Sequence, residues 1–141
     1  MTDFIRIVLD CRVVPYVRMT RRGKWWAPDA QRYMDRQAEI KQRMVEATGW
    51  CGHAVFPKPQ RLSVRIALRG AHFRGDIDNY AKAILDAARD VLWTDDQQID
   101  ELYVERTRSA HDNFEMLVTK RDVPDPIPLE QDEAIEVVLN A

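Results

Sequence analysis

The sequence predicts an α+β fold in two layers, a small mixed β-sheet packed by two main helices. Three observations predict it. Apolar residues recur at helical spacing over 28–48 and again over 77–92. They alternate with polar residues over 61–69, as in a half-buried strand. Two further strand-like runs, 99–108 and 114–120, flank a turn at His111-Asp112-Asn113. A chain of 141 residues is long enough for one domain with a real core.

Taken in order, 4–10 (FIRIVLD) is β-rich and reads as the first strand. The segment 12–27 holds Arg12, Arg18, Arg21, Arg22 and Lys24 beside Trp25 and Trp26, and its Arg-Arg-Gly-Lys reads as a turn in an irregular loop or basic hairpin. Pro28 opens the first helix, Tyr33, Ile40, Met44 and Val45 form its apolar face, and Gly49 stops it. A loop with Pro57 and Pro59 leads to the strand 61–69, where Leu62, Val64, Ile66 and Leu68 alternate. In the second helix, expected over 77–92, Ile77, Ala81, Ile84, Leu85, Ala88 and Leu92 mark the buried face. The runs 99–108 and 114–120 read as an antiparallel hairpin. From 122 to 141 the chain is acidic and carries prolines, which reads as a separate C-terminal tail.

Hydrophobic residues make up 45% and charged residues 31%, the balance of a soluble globular protein. No apolar run approaches the roughly 20 residues that span a bilayer, and the N-terminus lacks the apolar segment of a signal peptide. A cytoplasmic location is the expectation. Cys11 and Cys51 have no metal-ligand spacing and read as reduced structural thiols. The net charge of −2 hides an asymmetry. Residues 1–75 hold 15 Lys+Arg against 6 Asp+Glu, whereas 76–141 hold 6 against 17. That split fits a basic surface for polyanions beside an acidic site, although opposite charges neutralising one another across the surface would account for it equally.

The acid concentrates at the ends of the second helix. Asp76 and Asp78 stand at its start and Asp95 and Asp96 just beyond its end, with Lys82 one turn after Asp78. An N-cap explains one aspartate at a helix start, a surface ion pair explains Lys82, and turn chemistry explains Asp95-Asp96. None explains the whole set. Like charges brought together are costly unless a cation neutralises them, and short carboxylates are what Mg²⁺ prefers. The histidines His53, His72 and His111 are scattered, which argues against zinc. No Gly-rich phosphate loop or nucleophile elbow occurs.

The order Asp76-x-Asp78-Asn79-x-x-Lys82, then Asp86, then Asp95-Asp96-x-x-Ile99, resembles the signature of RusA-type Holliday junction resolvases. The resemblance extends over roughly 4–120 in order of elements, making 1–121 a RusA-like endonuclease domain. It implies a Mg²⁺-dependent endodeoxyribonuclease, with Mn²⁺ able to substitute, that nicks four-way DNA junctions symmetrically as a homodimer in recombination and repair, leaving 5′-phosphates. By position, Asp76, Asp78 and Asp96 become the metal carboxylates, with Asp95 as an additional candidate. Lys82 becomes the catalytic lysine, and Asn79 an orienting or capping residue. Asp86 is a structural match only. Arg18, Arg21, Arg22, Lys24, Arg69 and Arg74 are the candidate phosphate contacts, and Trp25 or Trp26 either stacks on bases or packs in the protein. One departure stands out: many members carry a glycine before the Asp pair, and 90–94 has none. Alternatives are an inactive prophage DNA-binding protein and a nuclease for other branched DNA. A haloacid-dehalogenase-type phosphatase would need a strand ending directly at its first aspartate, and 71–75 intervene.

Overall fold

The computed structural model describes residues 3–17, 27–50 and 52–122. The elements run β1 (Phe4–Leu9), α1 (Pro28–Thr48), β2 (Leu62–Gly70), α2 (Ile77–Ala88), a single 3₁₀ turn (Asp96–Gln98), β3 (Ile99–Arg108) and β4 (Asn113–Lys120). The four strands form one mixed sheet in the order β1-β4-β2-β3, with β2 and β3 parallel and the other two pairs antiparallel. Both helices pack on one face, and the predicted two-layer α+β architecture is what forms. The arginine-rich stretch 18–26, including Arg18, Arg21, Arg22, Lys24, Trp25 and Trp26, lies outside the described residues, as do Cys51 and the tail from 123 onward.

β2 takes the centre because one whole face of it is apolar. Leu62, Val64, Ile66 and Leu68 are at most 2% exposed, opposite the buried Phe114, Met116 and Val118 of β4. β3 carries Asp100, Glu101, Glu105, Arg106 and Arg108 and goes to the edge, where charged side chains stay wet. The expected hairpin between the last two strands is therefore corrected: β3 and β4 each pair with β2 and not with each other. The short connection between them crosses the end of β2, where the Ser109 N–H donates to the Gly70 carbonyl at 2.9 Å. Parallel β2 and β3 need a crossover, and α2 supplies it.

α1 has the bounds its punctuation predicts. Pro28 fills the first turn, where its missing N–H costs nothing, and Gly49 ends the helix at φ 64° with its N–H on the Val45 carbonyl. Ala30, Tyr33, Ile40 and Met44 are buried. α2 is shorter than expected, ending at Ala88 rather than residue 92. Asp90 is in the left-handed region at φ 72°, which breaks the helix, and the freed Val91 and Leu92 carbonyls accept from Val55 and Phe56 at 3.0 and 2.8 Å. Lys41 Nζ, within α1, and Trp50 Nε1, just beyond it, donate to the Arg89 and Asp90 carbonyls. The left-handed position that a glycine would take without steric cost is filled here by aspartate, among the better-tolerated residues there. Val91, Leu92 and Trp93 stay in the core despite leaving the helix. Ile77, expected inside, is 38% exposed, and Tyr80, Ala83 and Ala87 are buried in addition. No helix among the described residues is long and apolar enough to cross a membrane.

Candidate active site

The loop entering α2 is fixed from three directions. The Arg74 N–H donates to the Tyr80 hydroxyl at 2.8 Å, and the Tyr80 ring meets Phe73 edge-on with centroids 5.4 Å apart. Arg106, on β3, donates to the Gly75 carbonyl and stacks over Phe73. At Gly75 a Cβ would stand 3.1 Å from Pro15, so the segment 11–17 passes close against the residue before Asp76 and would have to give way to a larger one. The same segment is tied to the helix start by the Tyr16 N–H, which donates to the Asn79 carbonyl at 3.0 Å.

On this frame Asp76 occupies the N-cap position, exposed, without a capping hydrogen bond from its side chain. Asp78 Oδ1 accepts from the Asn79 N–H at 2.9 Å. Lys82 stands over the Tyr16 ring, 4.8 Å from its centroid. Its ion pair is with Asp86, at 3.6 Å, rather than with Asp78. A lysine in a helix can reach four residues either way, and Asp86 is anchored for the contact because the Tyr33 hydroxyl of α1 donates to its Oδ2 at 3.4 Å. Burial, and then the Asp86 charge, push the Tyr33 hydroxyl well above the usual phenol range. Asp86 thus ties Lys82 to α1 through Tyr33.

The second pair of aspartates divides in two. Asp95 shapes the turn: its Oδ1 accepts from the Gln97 N–H at 2.9 Å and its Oδ2 pairs with Lys58 at 3.0 Å. The Gln97 N–H, followed by the Lys58 ammonium, pulls the Asp95 carboxyl below its ordinary range. Gln98 completes the capping box and is only 2% exposed. Its Oε1 accepts from the Thr94 and Asp95 N–H groups, and its amide donates to the Phe56 and Gln60 carbonyls. Asp96 turns the other way. Its Oδ1 accepts from the indole N–H of the fully buried Trp93 at 2.7 Å, and its Oδ2 lies 3.9 Å from Arg89.

Asp78, Lys82, Asp86 and Asp96 line one open cleft of about 500 Å³, whose other wall is Ile77, Leu85, Leu102 and Val104. Asp76 and Asp95 are not among its lining residues. The four groups from one helix and the following turn therefore share a cleft, brought together because α2 carries the chain away and the turn at Asp90 brings it back. Among the described residues no three His, Cys, Asp or Glu side chains gather closely enough to hold a metal ion outright. The donor chemistry still fits a hard cation, since Mg²⁺ is commonly held by one or two carboxylates with water and phosphate oxygens.

The candidate phosphate contacts separate. Arg74 lies beside the motif, lining a neighbouring groove. Arg69 is on the helix-free face of the sheet, bonded to Asn113 at 3.1 Å and paired with Glu115 at 3.6 Å. Sequence reading passed over Trp93 and Gln98. Trp93 had a signal, an indole three residues before the aspartate it serves, whereas the contacts of Gln98 to Phe56 and Gln60 are non-local. Compared with known families, residues 15–118 match the model described as Endodeoxyribonuclease RusA. No curated protein matches the chain.

Proposed function

This chain belongs to the RusA family of endodeoxyribonucleases, and on that premise we propose that it is a Mg²⁺-dependent, structure-specific nuclease that resolves four-way DNA junctions. The observation that carries the reading is the shared cleft, which holds Asp78, Lys82 and Asp96 of the motif together. Asp78 and Asp96, which share the cleft, would hold the ion, with Asp76, whose carboxylate caps nothing, as the further candidate at the helix start. Once bound, Mg²⁺ (or Mn²⁺) lowers the pKa of a coordinated water and neutralises phosphate charge.

The chain's own residues divide the remaining work. Lys82 places an ammonium beside the carboxylates, where it neutralises a non-bridging phosphate oxygen as charge builds during displacement. Tyr16 below it and Asp86 one turn along fix the direction of that long side chain. Trp93 fixes Asp96, and the capping bonds of Asp95 fix the turn that bears it. In-line attack of water on phosphorus breaks the P–O3′ bond, leaving a 5′-phosphate and a 3′-hydroxyl. Paired as a two-fold dimer, two such sites would nick opposing strands of a junction symmetrically.

The test is incubation of the purified protein with a synthetic four-way junction and a matched linear duplex, with and without Mg²⁺. Paired, metal-dependent nicks in the junction that disappear in Asp78→Asn are expected. Cleavage that survives Asp78→Asn overturns the assignment of the site, and equal cleavage of the linear duplex overturns junction specificity.

A further inference from the structure

A second groove, of about 520 Å³, opens beside the cleft. Arg12, Arg32, Arg36 and Arg74 line it, with Asp29 as the one acid among its described lining residues. Asp29 is paired to Arg32, and Arg36 is paired to Glu39 at 2.8 Å. Arg12 and Arg74 make no side-chain hydrogen bond or ion pair among the described residues, and both are exposed. The groove thus holds four guanidiniums against two carboxylate partners, a net positive lining that favours an anion. Planar guanidiniums favour phosphate oxygens, which they can grip through two N–H groups at once.

The position of the groove says which phosphates. Val13, Val14, Pro15 and Val17 form its wall, while Tyr16, in the same stretch, carries the ring beneath Lys82. A single passage of chain therefore separates the groove from the cleft. Arg74 stands only two residues before Asp76. A polyanion with one phosphate at Lys82 would meet the arginines with its neighbouring phosphates as it leaves the cleft.

We infer that this groove holds the phosphodiester backbone of the DNA arm flanking the phosphate at Lys82, an inference that rests on the nuclease reading above. The contacts are to backbone, so they set affinity and register without reading sequence. The measurement is fluorescence anisotropy of a labelled four-way junction in EDTA, between 50 and 200 mM salt. Replacing Arg12, Arg32 and Arg36 together by glutamine removes three phosphate contacts and lowers the slope of log K against log salt by about 2.7. The affinity lost across that salt range then shrinks by about 40-fold relative to wild type. The triple lysine variant, which keeps the charge, retains most of the slope. Should the triple glutamine variant fold poorly, Arg12→Gln alone lowers the slope by about 1. An unchanged slope in a folded glutamine variant, with wild type binding normally, overturns the groove and leaves the nuclease reading intact. Wild type that binds neither junction nor duplex overturns both.

Discussion

Replacing Trp93 by phenylalanine separates the two tasks of one side chain. The indole is fully buried and its N–H donates to Asp96 Oδ1 at 2.7 Å. Phenylalanine keeps most of the ring but leaves a void, at a cost of about 1–3 kcal/mol for the lost packing. The hydrogen bond adds less than a buried charged contact would. Asp96 has a side chain 37% exposed, so water can replace the lost donor, and about 1 kcal/mol is the expected contribution. A double-mutant cycle of Trp93→Phe and Asp96→Ala, read by urea denaturation, isolates that coupling from the packing loss. The second readout is the Mg²⁺ concentration giving half-maximal junction nicking. On the proposed reading, in which Asp96 ligates the ion, loss of the hydrogen bond that orients it weakens metal affinity by about 10- to 100-fold, so the midpoint rises while nicking at saturating Mg²⁺ recovers most of its rate. A cycle coupling below about 0.3 kcal/mol together with an unmoved Mg²⁺ midpoint refutes the positioning role.

Two further outcomes follow from the turn that bears Asp96. Gln98→Leu fits the space but strands the Thr94 and Asp95 N–H groups and the Phe56 and Gln60 carbonyls, and costs about 3 kcal/mol or more in urea denaturation. A change within about 0.5 kcal/mol of wild type contradicts that accounting. Asp95→Ala removes a carboxylate whose pKa is depressed by the Gln97 N–H and Lys58. A depressed carboxyl stabilises the fold above its unfolded pKa of roughly 3.9 and loses that contribution as pH falls through the lower folded value. The variant therefore melts below wild type at neutral pH, and the two converge in acid. A gap that stays constant down through the carboxylate range denies the ionised cap its role.

What the sequence disclosed was mostly local. Pro28 and Gly49 bounded α1 because a first-turn proline and a left-handed glycine act within a few residues of where they stand. The alternation of Leu62, Val64, Ile66 and Leu68 exposed β2 for the same reason. The errors arose where distant chain decides. Leu92 continues the helical spacing from Ala88, yet the backbone of Val55 and Phe56 captures the carbonyls and the helix stops. The last two strands are close in sequence and antiparallel in direction, but the apolar face of β2 wins the place between them. In the site, the motif named the carboxylates and Lys82 because it is compact in sequence. Spacing allowed Lys82 two partners, and Tyr33, 53 residues from Asp86, favours Asp86. The indole under Asp96 sits only three residues away, but nothing local reveals that it is turned inward.

The strand order also sets a timetable for assembly. β1, the first strand to leave the ribosome, hydrogen-bonds only to β4, the last of the described sheet. β2 likewise finds both its neighbours only after α2 has been made. Loop-closure entropy for these long separations must be met before the contacts repay it, which slows folding. Sheet closure therefore waits until residue 120 has emerged, and a nascent chain arrested before β4 holds β1 and one edge of β2 as unpaired strands. Such a chain is open to pairing with its copies, so this nuclease becomes competent only after nearly the whole described domain has been synthesised.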